Sequence, residues 1–145
     1  MKQVSSEEQK KVYAQAKPEP IETEEAQRII FQPNKGPQTE FLSSTEREVL
    51  YGGSAGGGKS YAMLADPVRY FNNSHFRGLL IRRTTEELRE LISASKQLYP
   101  EAIPNIRFME RDKTWVAPSG ATLWMSYLDR DDDVTRYQGQ AFSWI

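Results

Sequence analysis

The residues with the clearest chemical potential are Gly53-Ser54-Ala55-Gly56-Gly57-Gly58-Lys59-Ser60. They match G-x-x-x-x-G-K-[ST], a pattern that cradles phosphates when it follows a strand and opens a helix. A triphosphate carries several negative charges and must be approached closely. Glycines let the backbone bend tightly and turn N–H groups inward. A following helix adds its unpaired first-turn N–H groups and the positive end of its dipole. Lys59 would reach the β- and γ-phosphates, and the Ser60 hydroxyl would sit on Mg²⁺. Tyr61 comes next and belongs to the same binding stretch. The bland alternative is a glycine-rich turn that precedes Lys-Ser by chance. The residues also fit the narrower G-x-x-G-x-G-K-S pattern of small-molecule kinases and some transporter ATPases. The motif therefore fixes the class of ligand and not the reaction.

Several elements must position this loop. Glu48-Val49-Leu50-Tyr51-Gly52 reads as a short strand leading in, and Tyr61-Ala62-Met63-Leu64-Ala65 as a helix leading out. Asp66-Pro67 is a kink or stop, with helical pattern resuming through Val68, Tyr70 and Phe71 and ending at Asn72–His75. Phe76–Arg82 is a continuous apolar run of the kind found in buried parallel strands. Thr84 and Glu87 have capping-box spacing ahead of a helix. Its apolar face holds Leu88, Leu91, Ile92 and Leu98, and Tyr99-Pro100 is its expected end. Strand, glycine loop, helix, strand, helix is the order of an α/β fold with a parallel sheet.

Arg82 and Arg83 fall at the carboxyl end of the second strand, the edge where open α/β sheets bind ligands. They suit phosphate or transition-state charge; salt bridges to the next helix are the plainer alternative. Upstream, Pro37 suits the first turn of a helix with Phe41 and Leu42 on its face. The Gln38 amide both donates and accepts, as reading the edge of adenine requires; a surface glutamine is the alternative.

Beyond Ile106 the pattern turns antiparallel. A hairpin spans Ile106–Ala117, Pro118-Ser119-Gly120 is a tight turn, and Ala121–Leu128 is another strand. This predicts a small antiparallel unit attached to the parallel sheet, with Trp and Met in the core. Asp129–Asp133 reads as a solvated loop capping a short helix at Val134–Tyr137 in preference to a Mg²⁺ cluster. Ala141–Ile145 begins an apolar strand in which the chain stops. That predicts a piece of a longer protein.

Composition sets the outer bounds. The chain has 145 residues, 38% hydrophobic and 27% charged, enough for one core. It has no cysteine and one histidine, His75, which leaves no disulfide framework and no thiolate or His-based zinc site. No apolar run reaches membrane-spanning length and no signal peptide opens the chain, so no membrane partner is expected and the expected compartment is cytosolic. A net charge of −1 argues against a strong passive nucleic-acid binder. Residues 1–25, rich in Glu, Lys, Gln and Ser, read as a flexible charged arm.

From about Phe31 to Ile145 the sequence resembles the ATPase domain of the large terminase subunit of tailed bacteriophages. The resemblance is carried by Phe31-Gln32-Pro33 with Pro37-Gln38 and Phe41-Leu42, by Tyr51-Gly52-Gly53 through Gly58-Lys59-Ser60, and by Leu80-Ile81-Arg82-Arg83-Thr84. It continues in the Trp115–Trp124 region and in Tyr137-Gln138-Gly139-Gln140. It implies a P-loop NTPase fold of the ASCE type over residues 26–145, truncated within the Walker B strand. Gln38 would be the adenine-recognising glutamine, Gly53–Ser60 the Walker A loop, and ATP and Mg²⁺ the cofactors. The implied activity is ATP hydrolysis driving double-stranded DNA into a procapsid in the host cytoplasm. The implied partners are a portal protein, a small terminase subunit and further copies in a ring. The Asp and Glu that end the Walker B strand in such proteins would follow Ile145, so this stretch alone would bind nucleotide with little turnover. The sequence departs from the family where many members carry an arginine in Walker A; here Ala55 and Gly56 stand. Arg82, Arg83, a neighbouring subunit or a part beyond this chain would supply that charge. A helicase-like or kinase-like ATPase, or a non-catalytic nucleotide-fold scaffold, are the alternatives.

Overall fold

A computed structural model describes residues 28–53, 56 and 58–145. The charged arm expected at residues 1–25 lies outside them, as do Ser54, Ala55 and Gly57. Three helices, α1 (Pro37–Ser43), α2 (Lys59–Ala65) and α3 (Thr85–Ala102), surround strands β1 (Arg77–Arg82), β2 (Arg107–Met109), β3 (Thr114–Val116) and β4 (Thr122–Tyr127). The strands form one sheet in the order β1-β4-β3-β2. β1 and β4 run parallel, while β4–β3 and β3–β2 are antiparallel. The fold is thus α/β with a mixed four-stranded sheet. The hairpin expected as an attached unit is continuous with the parallel pair, because β4 belongs to both.

The run that predicted β1 is buried as expected, with Leu79 and Leu80 almost fully enclosed. β1 pairs with β4 from Arg77↔Thr122 through Arg82↔Tyr127. Gly78 sits where the Leu123 and Phe76 side chains press against the strand: a Cβ there would lie 2.7 Å from Leu123 Cδ1. α3 starts as read, its Thr84 hydroxyl accepting from the Glu87 N–H. It buries Leu88, Leu91, Ser95, Leu98 and Tyr99, while Ile92 is half-buried. The expected end at Tyr99-Pro100 is wrong. The helix continues through Pro100 to Ala102, closed by the Ile103 N–H on the Tyr99 carbonyl. Pro100 stands so near the end that its missing N–H costs one bond, and the buried Tyr99 anchors the last turn.

The core is aromatic. Phe76, Phe71, Tyr99 and Trp115 meet edge to face in sequence at centroid distances of 5.8, 5.4 and 5.1 Å. Trp115 Nε1 donates to Ser95 Oγ at 3.0 Å, and Ser95 Oγ donates to the Ile92 carbonyl at 2.7 Å. Trp115 and Met125 are core residues as expected, although Met109 is exposed. The Tyr99 hydroxyl is buried without a hydrogen-bond partner among the described residues, and burial pushes its phenol well above the ordinary tyrosine range. Tyr99→Phe keeps the ring contacts and deletes the unpaired hydroxyl. It is expected to raise unfolding free energy by about 1 kcal/mol, read in urea titrations; a loss of similar size would show that the hydroxyl has a partner.

Two expected strands are not formed. Residues 48–52 form no strand and pair with no described strand; Glu48 lies in a bend and Leu50 is 97% exposed. Val-Leu-Tyr has the residue types of a strand, yet a strand persists only where an edge pairs with it. At the edge of β1 stands the final segment instead. There Trp144 makes a single parallel bridge with Gly78, using Leu79 N–H on the Trp144 carbonyl and Ser143 N–H on the Arg77 carbonyl, both at 2.9 Å. Residues 141–145 are therefore one bridge and not a strand. In the lead-in segment Tyr51 stacks on Phe41 at 5.3 Å.

The acidic loop forms a cap. Asp133 Oδ2 accepts from the N–H groups of Asp129 and Arg130, and its Oδ1 pairs with Arg136. The Arg130 N–H, foremost, holds its carboxyl below the usual aspartate range. The short helix that follows is a 3₁₀ helix spanning Asp131–Tyr137. No helix among the described residues is long and apolar enough to cross a membrane.

Candidate functional site

The glycine loop ends at Gly58, which has φ +73° and ψ 9° and caps α2. No side chain caps the first turn of α2. The helix begins at Lys59 and continues beyond Ala65 into a 3₁₀ turn, Asp66–Tyr70, so Asp66-Pro67 tightens the helix without ending it. Lys59 Nζ reaches back across the loop and donates to the Gly53 carbonyl at 3.1 Å. The lysine thus lies over the loop it follows, where a phosphate group would compete for it. Ser60 is exposed.

β1 delivers the second cation. Arg82 is the last residue of β1, and its carbonyl accepts from the Leu128 N–H at 2.9 Å beyond the end of β4. Its Nη2 donates to Ser60 Oγ at 3.0 Å. The carboxyl edge of the parallel pair therefore meets the start of α2, as the placement of Arg82 predicted. Arg83 is different: it is exposed and makes no hydrogen bond or ion pair with the described residues. The structure brings Arg82 to the loop and leaves Arg83 outside that contact.

Gln38 does lie beside the loop, and it is 3% exposed. Its Nε2 donates to the Gly58 carbonyl at 2.9 Å, and its Oε1 accepts from the Asn34 N–H at 2.6 Å. Asn34 is held in turn, its carbonyl accepting from Thr39 Oγ1 at 2.7 Å. Tyr61 is 47% exposed. It borders a cleft of about 220 Å³ whose other walls include Ile29, Ile30, Ala94 and Leu98. Among the described residues no atom lies within 4 Å of where a Cβ on Gly53 or Gly56 would stand.

Two contributors were missed in the sequence. Asn34 acts through its backbone N–H, which residue type does not advertise. Asp66 was read only as part of a kink. Its carboxylate pairs with Arg69 and accepts from Trp144 Nε1 at 2.8 Å. It thereby ties the end of α2 to the segment beside β1, while Arg69 also donates to the Leu42 carbonyl at the end of α1.

Chemically, two cations and one hydroxyl oxygen share the mouth of a glycine loop. A lone divalent cation on Ser60 Oγ would be repelled by the Arg82 guanidinium that donates to the same oxygen; on an anionic phosphate chain the phosphate charge would offset both. The residues therefore fit Mg²⁺ as a complex with phosphate. Among the described residues no group of three or more His, Cys, Asp or Glu could hold a metal by itself. Comparison with family models, with curated proteins and with solved structures finds no match to this chain.

Proposed function

We propose that this chain is the triphosphate-binding part of a P-loop ATPase, specifically of an ATP-driven motor that packages double-stranded viral DNA. The observation that carries the proposal is the convergence of Lys59, Ser60 and Arg82 on one loop, although Arg82 is 22 positions from Ser60 in sequence and sits on another element. A chance glycine turn has no need of a second cation delivered by the neighbouring strand. The DNA-packaging role rests on the terminase resemblance over Phe31–Ile145. That resemblance also supplies the proposed partners: a portal protein, a small terminase subunit and further copies in a ring.

On this proposal Lys59 leaves the Gly53 carbonyl and binds the phosphates. Backbone N–H groups at the loop and the start of α2 hold the remaining oxygens. Ser60 presents its hydroxyl oxygen to Mg²⁺, which when bound neutralises phosphate charge. Arg82, already at Ser60, turns its guanidinium onto the phosphate oxygens and can follow their charge as it changes.

Arg82→Ala is expected to weaken triphosphate binding about tenfold without metal, the worth of one charge-assisted bond. With saturating Mg²⁺ the loss shrinks, because the metal supplies charge at the same oxygens. Affinities in EDTA and in Mg²⁺ separate the two cases; equal affinities for the variant and the original chain in EDTA would remove Arg82 from the site. The proposal as a whole is tested by isothermal calorimetry of the chain with Mg·ATP. One saturable site, competed by ADP, supports it. Absence of any binding at millimolar ATP sinks it.

A further inference from the structure

We propose that Gln38 is a positioning residue for the glycine loop, acting on the Gly58–Lys59 peptide. The inference rests on the triphosphate reading of the loop and assigns Gln38 a role within it. Three observations carry it. First, the Gln38 amide is engaged at both ends inside the chain: Nε2 on the Gly58 carbonyl and Oε1 on the Asn34 N–H, in a side chain that is 3% exposed. These bonds use one of its two N–H groups and one of its two lone pairs, and the side chain that carries the others is 3% exposed. Second, the Gly58 carbonyl also accepts the Ala62 N–H at 3.0 Å. With the Gln38 bond, both lone pairs of that oxygen are directed.

A peptide unit is planar and trans, so fixing the direction of a C=O fixes the next N–H on the opposite side. Gln38 therefore sets where the Lys59 N–H points, and with it the start of the segment that carries Lys59 and Ser60. Third, the approach is too close for anything but glycine. A Cβ on residue 58 would stand 2.7 Å from Gln38 Nε2, at a φ of +73°. The anchor continues backward through Asn34, whose carbonyl is held by Thr39 of α1. Gln38, Asn34 and Thr39 thus form a strut from the first turn of α1 to the loop.

The test compares Gln38→Met and Gln38→Glu in the full chain with three probes: ATP, GTP and inorganic tripolyphosphate, which has no base. Methionine keeps the length of the side chain and removes both polar contacts. Glutamate keeps the acceptor for Asn34 and removes the donor to Gly58. Both variants are expected to lose at least about three- to tenfold in affinity, Gln38→Glu the more because its carboxylate would face the Gly58 carbonyl and the phosphates, and each by the same factor for all three probes. A second readout uses the free chain. Amide exchange at Asn34 is expected to quicken in Gln38→Met and to stay protected in Gln38→Glu, while the Lys59 amide resonance shifts in both. Loss confined to ATP would overturn the inference in favour of base reading. Unchanged affinity for all three would overturn it in favour of a bystander. If the original chain binds none of the probes, the triphosphate reading itself falls, and the role of Gln38 with it.

Discussion

Lys59→Ala is expected to weaken triphosphate binding by about a hundredfold or more, with little change in thermal stability. The lysine ammonium spans two phosphate groups in the proposed complex, and each charge-assisted bond contributes about 1.5–3 kcal/mol. Losing two such bonds corresponds to at least two decades in Kd. In the free chain the same group bonds to the Gly53 carbonyl across the mouth of the loop. That bond is partly exposed and belongs to no core cluster, so its removal leaves the sheet and α3 intact. The prediction separates a ligand-binding lysine from a structural one. A structural lysine would shift the melting temperature and leave calorimetric affinity alone. Lys59→Arg makes the contrast sharper. It keeps the charge but replaces a compact ammonium with a broad planar fork, and it is expected to recover only part of the lost affinity. Undiminished affinity in Lys59→Ala would contradict the assignment.

The second large effect is expected at Gly58. Gly58→Ala meets two independent costs. The left-handed conformation is unfavourable for an L-residue by about 1–2 kcal/mol. The new Cβ would also stand 2.7 Å from Gln38 Nε2, and Gln38 is too enclosed to swing into solvent. Either the loop shifts or the glutamine leaves the Gly58 carbonyl and forfeits a further 1 kcal/mol or so. The variant is expected to be destabilised by about 2–3 kcal/mol in denaturant titrations and to lose more than tenfold in triphosphate affinity. Because one term is a clash, the two sites should couple. In Gly58→Ala with Gln38→Ala the stability cost is expected to fall about 1 kcal/mol below the sum of the single changes. Strict additivity would mean that Gln38 and Gly58 do not touch in solution.

Legibility in the sequence followed locality. β1 was readable because a strand buried on both faces must be apolar throughout, and Leu79, Leu80 and Ile81 have few other uses. α3 was readable from its cap at Thr84 and from the spacing of Leu88, Leu91 and Leu98. The turn into α2 at Lys59-Ser60 was readable because glycines ahead of a helical pattern mark a loop that opens a helix. Arg82 was placed beside the loop by topology: it ends a parallel strand at its carboxyl edge, next to the start of α2, and its bond to Ser60 is the consequence. Arg83 shared the motif but not the contact, because it lies past the end of β1 in an exposed bend.

What failed depended on distant partners. Val49, Leu50 and Tyr51 have strand character, but pairing is a property of two segments, and no described strand lies against them. Residues 141–145 fared better only through the single bridge at Trp144. Asn34 was invisible because its contribution is a backbone N–H. Gln38 was located correctly beside the loop. Its proposed role turns on which side of the amide faces the chain, and residue type says nothing of that.

On the proposed function, the loop ending in Gly58-Lys59-Ser60 holds the phosphates. Titration of the ¹⁵N-labelled chain with Mg·ATP, followed by amide resonances, tests it most directly. The amides of Gly56, Gly58, Lys59 and Ser60 are expected to shift together along one saturable curve, joined by the Arg82 side chain, while those of the β2–β3 hairpin at Phe108 and Trp115 stay in place. Saturable shifts centred on any other surface, with the Gly58–Ser60 amides unmoved, would contradict it.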